Sequence, residues 1–323
     1  MIDMQATRRP SSPIRLRIAG GLPLLGLFLA LVSPGRAAGG AGPGALAADA
    51  GTVYAIDGPR AAIVARRIEA GSLAPPRDIV SDCGDGAQPI AVTVVEGRLL
   101  AAVCRSDSAW TLRTWELAGS GPAVPLQTLP LGSADGSSDS VTLAASPTGA
   151  WLAIAGLPAP LPPVLRAAIA GRRVASPSAR GCPRPAARPA AVAISPDDAV
   201  VLFEPAGPAG GVAVVFYGLG GGELLRLDAG LDTVRGAGFD LADGTLFVVG
   251  ERTDGDGLWR LDAALANGRQ AVRPVLVARL PGPRAMAVAA SGTAAVALAP
   301  GTGTVELVDT GSPRDRSPER LQP

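Results

Sequence analysis

A short unit, AVAISPDDAVVLF at residues 191–203, reads as a strand, a tight turn at Ser195-Pro196-Asp197-Asp198 and a returning strand. Variants of it recur along the chain, and this repetition restricts the fold more than any other feature. Residues 90–95 and 98–104 flank Glu96-Gly97. Residues 141–145 and 151–155 flank Ser146-Pro147-Thr148-Gly149. Residues 237–241 and 245–249 flank Ala242-Asp243-Gly244, and residues 285–290 and 293–298 flank Ser291-Gly292. The turn positions Gly97, Gly149, Asp198, Gly244 and Gly292 step by about 46 to 52 residues. A tandem period of that length, with several strands per repeat, is the pattern of stacked β-blades, because one blade cannot bury its own faces.

Further strand candidates complete the repeats. Residues 110–117 (WTLRTWEL), 212–217 (VAVVFY), 258–261 and 304–309 (TVELVD) sit where a third strand belongs. Residues 124–131, 224–228 and 274–280 sit where a fourth belongs, and 52–57 (TVYAID) and 61–69 precede the first hairpin. The inner strands are apolar almost throughout, as strands covered on both faces should be. A parallel α/β sheet would look similar but needs long amphipathic helices between strands. The best helical stretches, 164–173 and 261–267, are short. The spacing therefore predicts an all-β propeller over residues 51–310 with four-stranded antiparallel blades. Six blades are favoured over seven or five, and closure with the first and last strands in one blade would leave the fewest exposed edges. Residues 156–189 break the rhythm with Pro and Arg. An extended rim loop and a degenerate outer pair of strands are both open readings.

The units AVAISPDDAVVLF and LAASPTGAWLAIAG resemble the Ser-Pro-Asp-Gly hairpins of the YVTN-type β-propeller repeat family, and TVYAID and TVELVD resemble its third strands. The likeness covers most of residues 51–310. It implies a propeller and leaves the activity open, since that fold carries many functions. No unit holds the full turn motif, and the one around Glu96-Gly97 lacks the Ser-Pro pair.

The N-terminus carries Arg8, Arg9, Arg15 and Arg17 before an apolar run at 18–32, followed by small residues at Ala37-Ala38 and again at Ala45-Leu46-Ala47. This is the pattern of a Sec-type signal peptide over residues 1–37. The apolar run, at about 15 residues, is shorter than the ~20 that a spanning helix wants, so no membrane span is expected after cleavage. Residues 38–50 are Gly/Ala-rich and read as a flexible lead-in. Residues 311–323 are polar and Pro-bearing, and read as a disordered tail. The chain is expected to be periplasmic or secreted.

Composition matters through what it lacks. Neither His nor Lys occurs in the 323 residues, and Asn occurs once, at Asn267. Ser-His-Asp and Cys-His nucleophile systems, His-ligated metals and haem, Lys Schiff bases and P-loop lysines are thereby excluded. The net charge of +1 supplies no basic field for nucleic acid.

Three residue groups remain as candidates. Antiparallel pairing about Glu96-Gly97 sets Cys104 opposite Pro89, at the hairpin end where Cys83 enters. A Cys83–Cys104 bridge would close a loop of about 20 residues, worth roughly 3 kcal/mol in the chain-entropy account. Cys182 is then the odd thiol or a competitor for pairing. Arg172, Arg173, Arg180, Arg184 and Arg188 concentrate in the irregular segment, where forked donors could hold an anion or an acidic partner. A solvated loop is the simpler reading of these arginines, and the one favoured. Asp254-Gly255-Asp256-Gly257 has the alternating carboxylates of a calcium loop but no bidentate Glu at the required spacing, so turn chemistry is favoured. Asp82, Asp85, Asp135 and Asp139 precede inner strands and read as solvated loops. Trp110 and Trp115, an odd number apart, point to opposite faces of one strand.

No catalytic residue, metal site or cofactor is expected. The residues favour a non-catalytic binding scaffold whose partner is another envelope protein or a small ligand at one rim. The alternatives are a calcium-dependent lactonase-like propeller hydrolase and a non-catalytic propeller subunit of a periplasmic dehydrogenase.

Overall fold

The computed structural model describes residues 46–119, 121–133, 141–207, 210–241, 243–266, 269–282, 285–289, 293–297 and 305–310. Residues 1–37 and 311–323, which the sequence reads as a signal peptide and a tail, and Asp135, Asp139 and Asn267 lie outside them. The described residues form six antiparallel blades around one axis, a six-bladed β-propeller.

Blade one holds β1 (Leu46–Ala48), β2 (Thr52–Asp57), β3 (Ala62–Glu69), β4 (Ser72–Leu73) and β5 (Arg77–Val80), with β4 and β5 both paired to β3. Blade two is β6 (Gln88–Val95), β7 (Leu99–Arg105), β8 (Ala109–Glu116) and β9 (Val124–Ser133). Blade three is β10 (Thr142–Ala145), β11 (Trp151–Ala155), β12 (Val164–Ala170) and β13 (Arg173–Val174). Blade four is β14 (Ala191–Ile194), β15 (Val200–Pro205), β16 (Val212–Tyr217) and β17 (Glu223–Asp228). Blade five is β18 (Thr233–Phe239), β19 (Leu246–Arg252), β20 (Gly255–Ala266) and β21 (Arg269–Arg279). Blade six shows β22 (Ala285–Ala289), β23 (Thr293–Ala297) and β24 (Val305–Asp309). The first strand of each blade touches its counterpart in the next, and β22 meets β1 to close the ring.

The Ser-Pro turns explain the repeat. Ser195 Oγ accepts the Ala199 N–H at 3.0 Å, and the Asp198 N–H bonds to the Ser195 carbonyl at 2.9 Å. Ser146 does the same in blade three, accepting from Ala150 at 3.0 Å and Trp151 at 3.2 Å. Pro fixes φ at the second turn position, and the fourth position turns left-handed, at Gly149 with φ 66° and at Asp198 with φ 62°.

Both faces of the inner strands are covered, and apolar clusters fill the seams between blades. Trp110 packs toward blade three and Trp115 toward blade one. Each fully buried Val or Leu contributes about 1.5–3 kcal/mol relative to exposure.

The structure overturns one sequence expectation and decides three points that the sequence left open. The ring starts inside the expected flexible lead-in: Leu46 and Ala47 are buried, and Leu46 pairs with Ala55. A three-residue Ala/Leu strand looks like linker until a neighbour covers it. The first and last strands do not share a blade, because β1 supplies the inner strand of its own blade. Both short helical stretches are strands, β12 and part of β20, held by sheet pairing that outweighs local helix propensity. Residues 156–189 contain the outer pair β12 and β13, followed by a long connection into β14.

Candidate functional site

Alternation along the strands of blade four places Glu204, Tyr217 and Arg226 on the face that looks at blade three. Glu204 lies opposite Ala213, and Arg226 lies opposite Val215, two residues along the same strand as Ala213 and two before Tyr217. An irregularity in pairing at Phe216/Tyr217 brings Glu223 opposite Tyr217 and leaves Leu224 as the extra residue. Glu204 is 1 % exposed, so its carboxylate needs partners. The Tyr217 hydroxyl donates to Glu204 Oε1 at 2.7 Å, and Arg226 Nη2 donates to Oε2 at 3.0 Å. Arg226 also grips Glu223, with Nη2 to Oε2 at 2.9 Å and Nε to Oε1 at 3.2 Å. These bonds, to Glu223 first and then to Glu204, hold the guanidinium well above its ordinary range. Burial, and then the bond to Glu204, pushes the Tyr217 phenol up. Arg226 Nη1 makes no hydrogen bond among the described residues.

Tyr217, Glu223 and Arg226 of this network form one wall of an open cleft of about 570 Å³ between blades three and four, with Glu204 buried behind them. The β16–β17 turn, Gly220 to Gly222, lines it, as do Cys182 and Arg184 from the connection that leaves blade three. That connection is clamped to the turn. Arg166 on β12 lies 4.1 Å from the centre of the Trp151 ring and donates Nη1 to the Leu219 carbonyl at 2.8 Å. Ser178 pairs with Arg166 through two backbone bonds. Gly221 sits at φ 78°, and a Cβ there would lie 2.5 Å from the Cys182 carbonyl oxygen, so only glycine lets the two backbones approach. Arg188 Nε reaches the Gly156 carbonyl at 2.8 Å and ties the far end of the connection.

The five arginines of the irregular segment are not one anion site. Arg172 pairs with Glu116 of blade two at 2.9 Å, Arg188 holds Gly156, and Arg173 and Arg180 are exposed. Arg184 alone of the five lines the cleft, and it has no ion pair or hydrogen bond among the described residues. The segment pairs as strands before it becomes a connection, which spreads its arginines along the blade. Cys83 and Cys104 are joined as a disulfide, with Pro89 opposite Cys104. Cys182 is a buried free thiol whose Sγ donates to the Ser178 carbonyl, and burial pushes it up.

The acidic loops are spoken for locally. Asp256 takes Arg235 Nη1 at 3.3 Å beside the β19–β20 turn, Asp85 pairs with Arg113 at 3.0 Å, and Asp82 accepts the Gly84 N–H. The six inner strands are mostly apolar, with Gln88, Thr93, Thr142 and Thr233 as uncharged polar residues and Arg235 as their one charged side chain, engaged by Glu251 and Asp256.

Sequence reading missed Glu204, Tyr217 and Arg226. The available signal was an acid closing an otherwise apolar strand, VVLFEP, followed by the glycine-rich turn GLGGG.

No protein-family model matches the sequence, and no curated protein does. Solved structures match over most of the chain. One is the PQQ-bound aldose sugar dehydrogenase of Streptomyces coelicolor, at 14% identity over 84% of this chain and 95% of that one, TM-score 0.52. Another is a gluconolactonase of Xanthomonas campestris, at 16% identity over 82% and 85%, TM-score 0.51. A chain of a nidogen/laminin complex matches at 12% identity over 80% and 92%, TM-score 0.52. At these identities the likeness establishes the propeller fold alone.

Proposed function

We propose that the chain is an exported propeller that recognises a ligand or an envelope partner at the cleft between blades three and four. One observation carries this reading: Arg226 is pre-oriented by two carboxylates with Nη1 left over, facing an open cleft that also holds the unengaged Arg184. Such a guanidinium loses little freedom on binding, which is how a preorganised group gains affinity. The leader-like N-terminus and the Cys83–Cys104 disulfide support a periplasmic or secreted location, where disulfides persist. No helix of the described residues is long and apolar enough to cross a membrane.

Site-specific photo-crosslinking in the native envelope tests this reading. A crosslinker replacing the exposed Leu219, beside the cleft, should capture a partner or protect against labelling when ligand is added. The same group at the exposed Val124 on blade two should not. Capture at Val124 and not at Leu219 would move the site elsewhere.

A second reading is enzymatic, and the neighbours favour it: a sugar dehydrogenase and a gluconolactonase share the fold. A lactonase-like or dehydrogenase-like propeller of that kind would place calcium ligands or a cofactor at the central axis. The residues here do not fit a calcium centre: no three His, Cys, Asp or Glu side chains gather to hold a metal among the described residues, and the inner strands β1, β6, β10, β14, β18 and β22 contain no Asp, Glu or Asn. No catalytic step is therefore derived. Lactone hydrolysis and aldose oxidation, each measured with and without calcium and PQQ, separate the readings. A calcium- or PQQ-dependent rate establishes the enzyme; a stable redox partner on purification establishes the dehydrogenase subunit.

A further inference from the structure

We infer that the blade three–four cleft takes a small organic anion bearing both a carboxylate and hydroxyl groups, a sugar acid in chemical class. The inference rests on the cleft being a binding site and names what binds there.

Charge gives the sign. Arg184 and Arg226 line the cleft, Arg180 sits between the lining residues Ala179 and Gly181, and Arg166 reaches its edge at Leu219. Against these four stand Glu204 and Glu223, so two positive charges are uncompensated and an anion is attracted. Donor geometry gives the head group. Arg226 Nη1 and the whole Arg184 fork are available, and guanidinium donors match the two oxygens of a carboxylate.

Glu223 gives the rest of the ligand. Its carboxylate lines the same cleft, its side chain is 44% exposed, and it can only accept hydrogen bonds when ionised. A sulfate, which carries no proton at neutral pH, would set acceptor against acceptor there, whereas a hydroxyl can donate to Glu223. A zwitterion could donate as well, but its cationic end meets a site already net positive. The volume, about 570 Å³, falls within the range typical of small-molecule sites.

The turn supports this independently of the charges. Gly221 is required by φ and by Cys182, but Gly220 and Gly222 are not: neither has a positive φ, and a Cβ at either would meet open space. The fold has no need of glycine at those two positions, while the missing side chains keep the cleft open.

The test is isothermal titration of the folded chain with D-glucuronate. D-Glucose, which lacks the carboxylate, and inorganic sulfate, which lacks any hydroxyl, serve as comparison probes. Glucuronate should bind at least roughly tenfold more tightly than either. Arg184→Ala should weaken it by about tenfold or more, and Gly222→Val should block it with the melting temperature unchanged. Three results overturn the inference: glucuronate does not bind, sulfate binds as well as glucuronate, or glucuronate binds Arg184→Ala as it binds wild type. If glucuronate fails while Leu219 still crosslinks a partner, the ligand class falls and the cleft stands. If both fail, both fall.

Discussion

Thr148 Oγ1 donates to Asp198 at 3.3 Å from each carboxylate oxygen, joining the inner-hairpin turns of blades three and four across fifty residues of sequence. Equivalent turns touch along much of the ring. A Cβ on Gly149 would lie 2.7 Å from Glu96 Oε1, one on Gly97 would lie 3.5 Å from Asp49 Oδ2, and one on Gly244 would lie 3.7 Å from Pro196. The sequence period thus reappears as a spatial contact between neighbouring turns.

Asp198 occupies the left-handed position that Gly149 fills one blade earlier. A β-branched residue there meets the left-handed penalty, so Asp198→Val should cost roughly 1–2 kcal/mol. Asp198→Gly loses the partly exposed bond to Thr148 but relieves the backbone, and should stay within about 0.5 kcal/mol of wild type. Urea denaturation of the two variants checks the ordering.

Removing the Glu204 carboxylate strands the Tyr217 hydroxyl and half of the Arg226 clamp. Arg226 keeps Glu223, and its side chain is 38% exposed, so Glu204→Ala should cost about 2–3 kcal/mol, below the full loss seen for a wholly buried pair. Arg226→Met leaves Glu204 buried without a cation and should cost more. Equal costs in chemical denaturation would show that Glu204 does not depend on Arg226.

Tyr217 and Tyr54 both have raised pKa values, each through burial first; a bond to Glu204 adds to it for Tyr217, and the charge of Asp49 followed by its bond for Tyr54. A phenol that keeps its proton longer when folded contributes stability that is complete below the unfolded value, near 10, and is lost as pH rises past it. Thermal melts should be flat in this respect to about pH 9 and fall above pH 10. Tyr217→Phe should make that fall shallower. An unchanged slope in the variant would remove Tyr217 from the account.

Gly221→Ala drives a Cβ into the Cys182 carbonyl at a positive φ, and should cost roughly 1–3 kcal/mol. Gly222→Ala has open space and should be near neutral, within about 0.5 kcal/mol. Comparing the two melts tests whether the connection from blade three is truly seated on the β16–β17 turn.

If residues 1–37 act as the signal peptide their pattern predicts, cleavage at Ala37-Ala38 rather than at Ala45-Leu46-Ala47 is the one that spares the ring. Cleavage after Ala47 would remove Leu46 and Ala47, which are buried in β1 against blade two and blade six. Intact-mass measurement of the exported protein should find a mature N-terminus at Ala38. A stable mature chain starting at Ala48 would show that β1 is dispensable.

Much of the fold is legible in the chain because its information is local. Ser-Pro turns and Glu96-Gly97 set hairpin register, and register sets which residues face each other; that is why Cys104 falls opposite Pro89. The opposed faces of Trp110 and Trp115 follow from the same alternation. The missing His and Lys likewise limit the chemistry without reference to any fold. Tertiary structure decided the rest. Whether Leu46–Ala48 is linker or strand depends on β2 and β22 covering it, which no property of three small residues announces. The cleft joins Arg184 of one connection to Tyr217, Glu223 and Arg226 of the next blade, and it exists because Gly221 lets two backbones meet. Such contacts run between blades, where the packing of faces, rather than hydrogen bonding along the chain, determines who is whose neighbour.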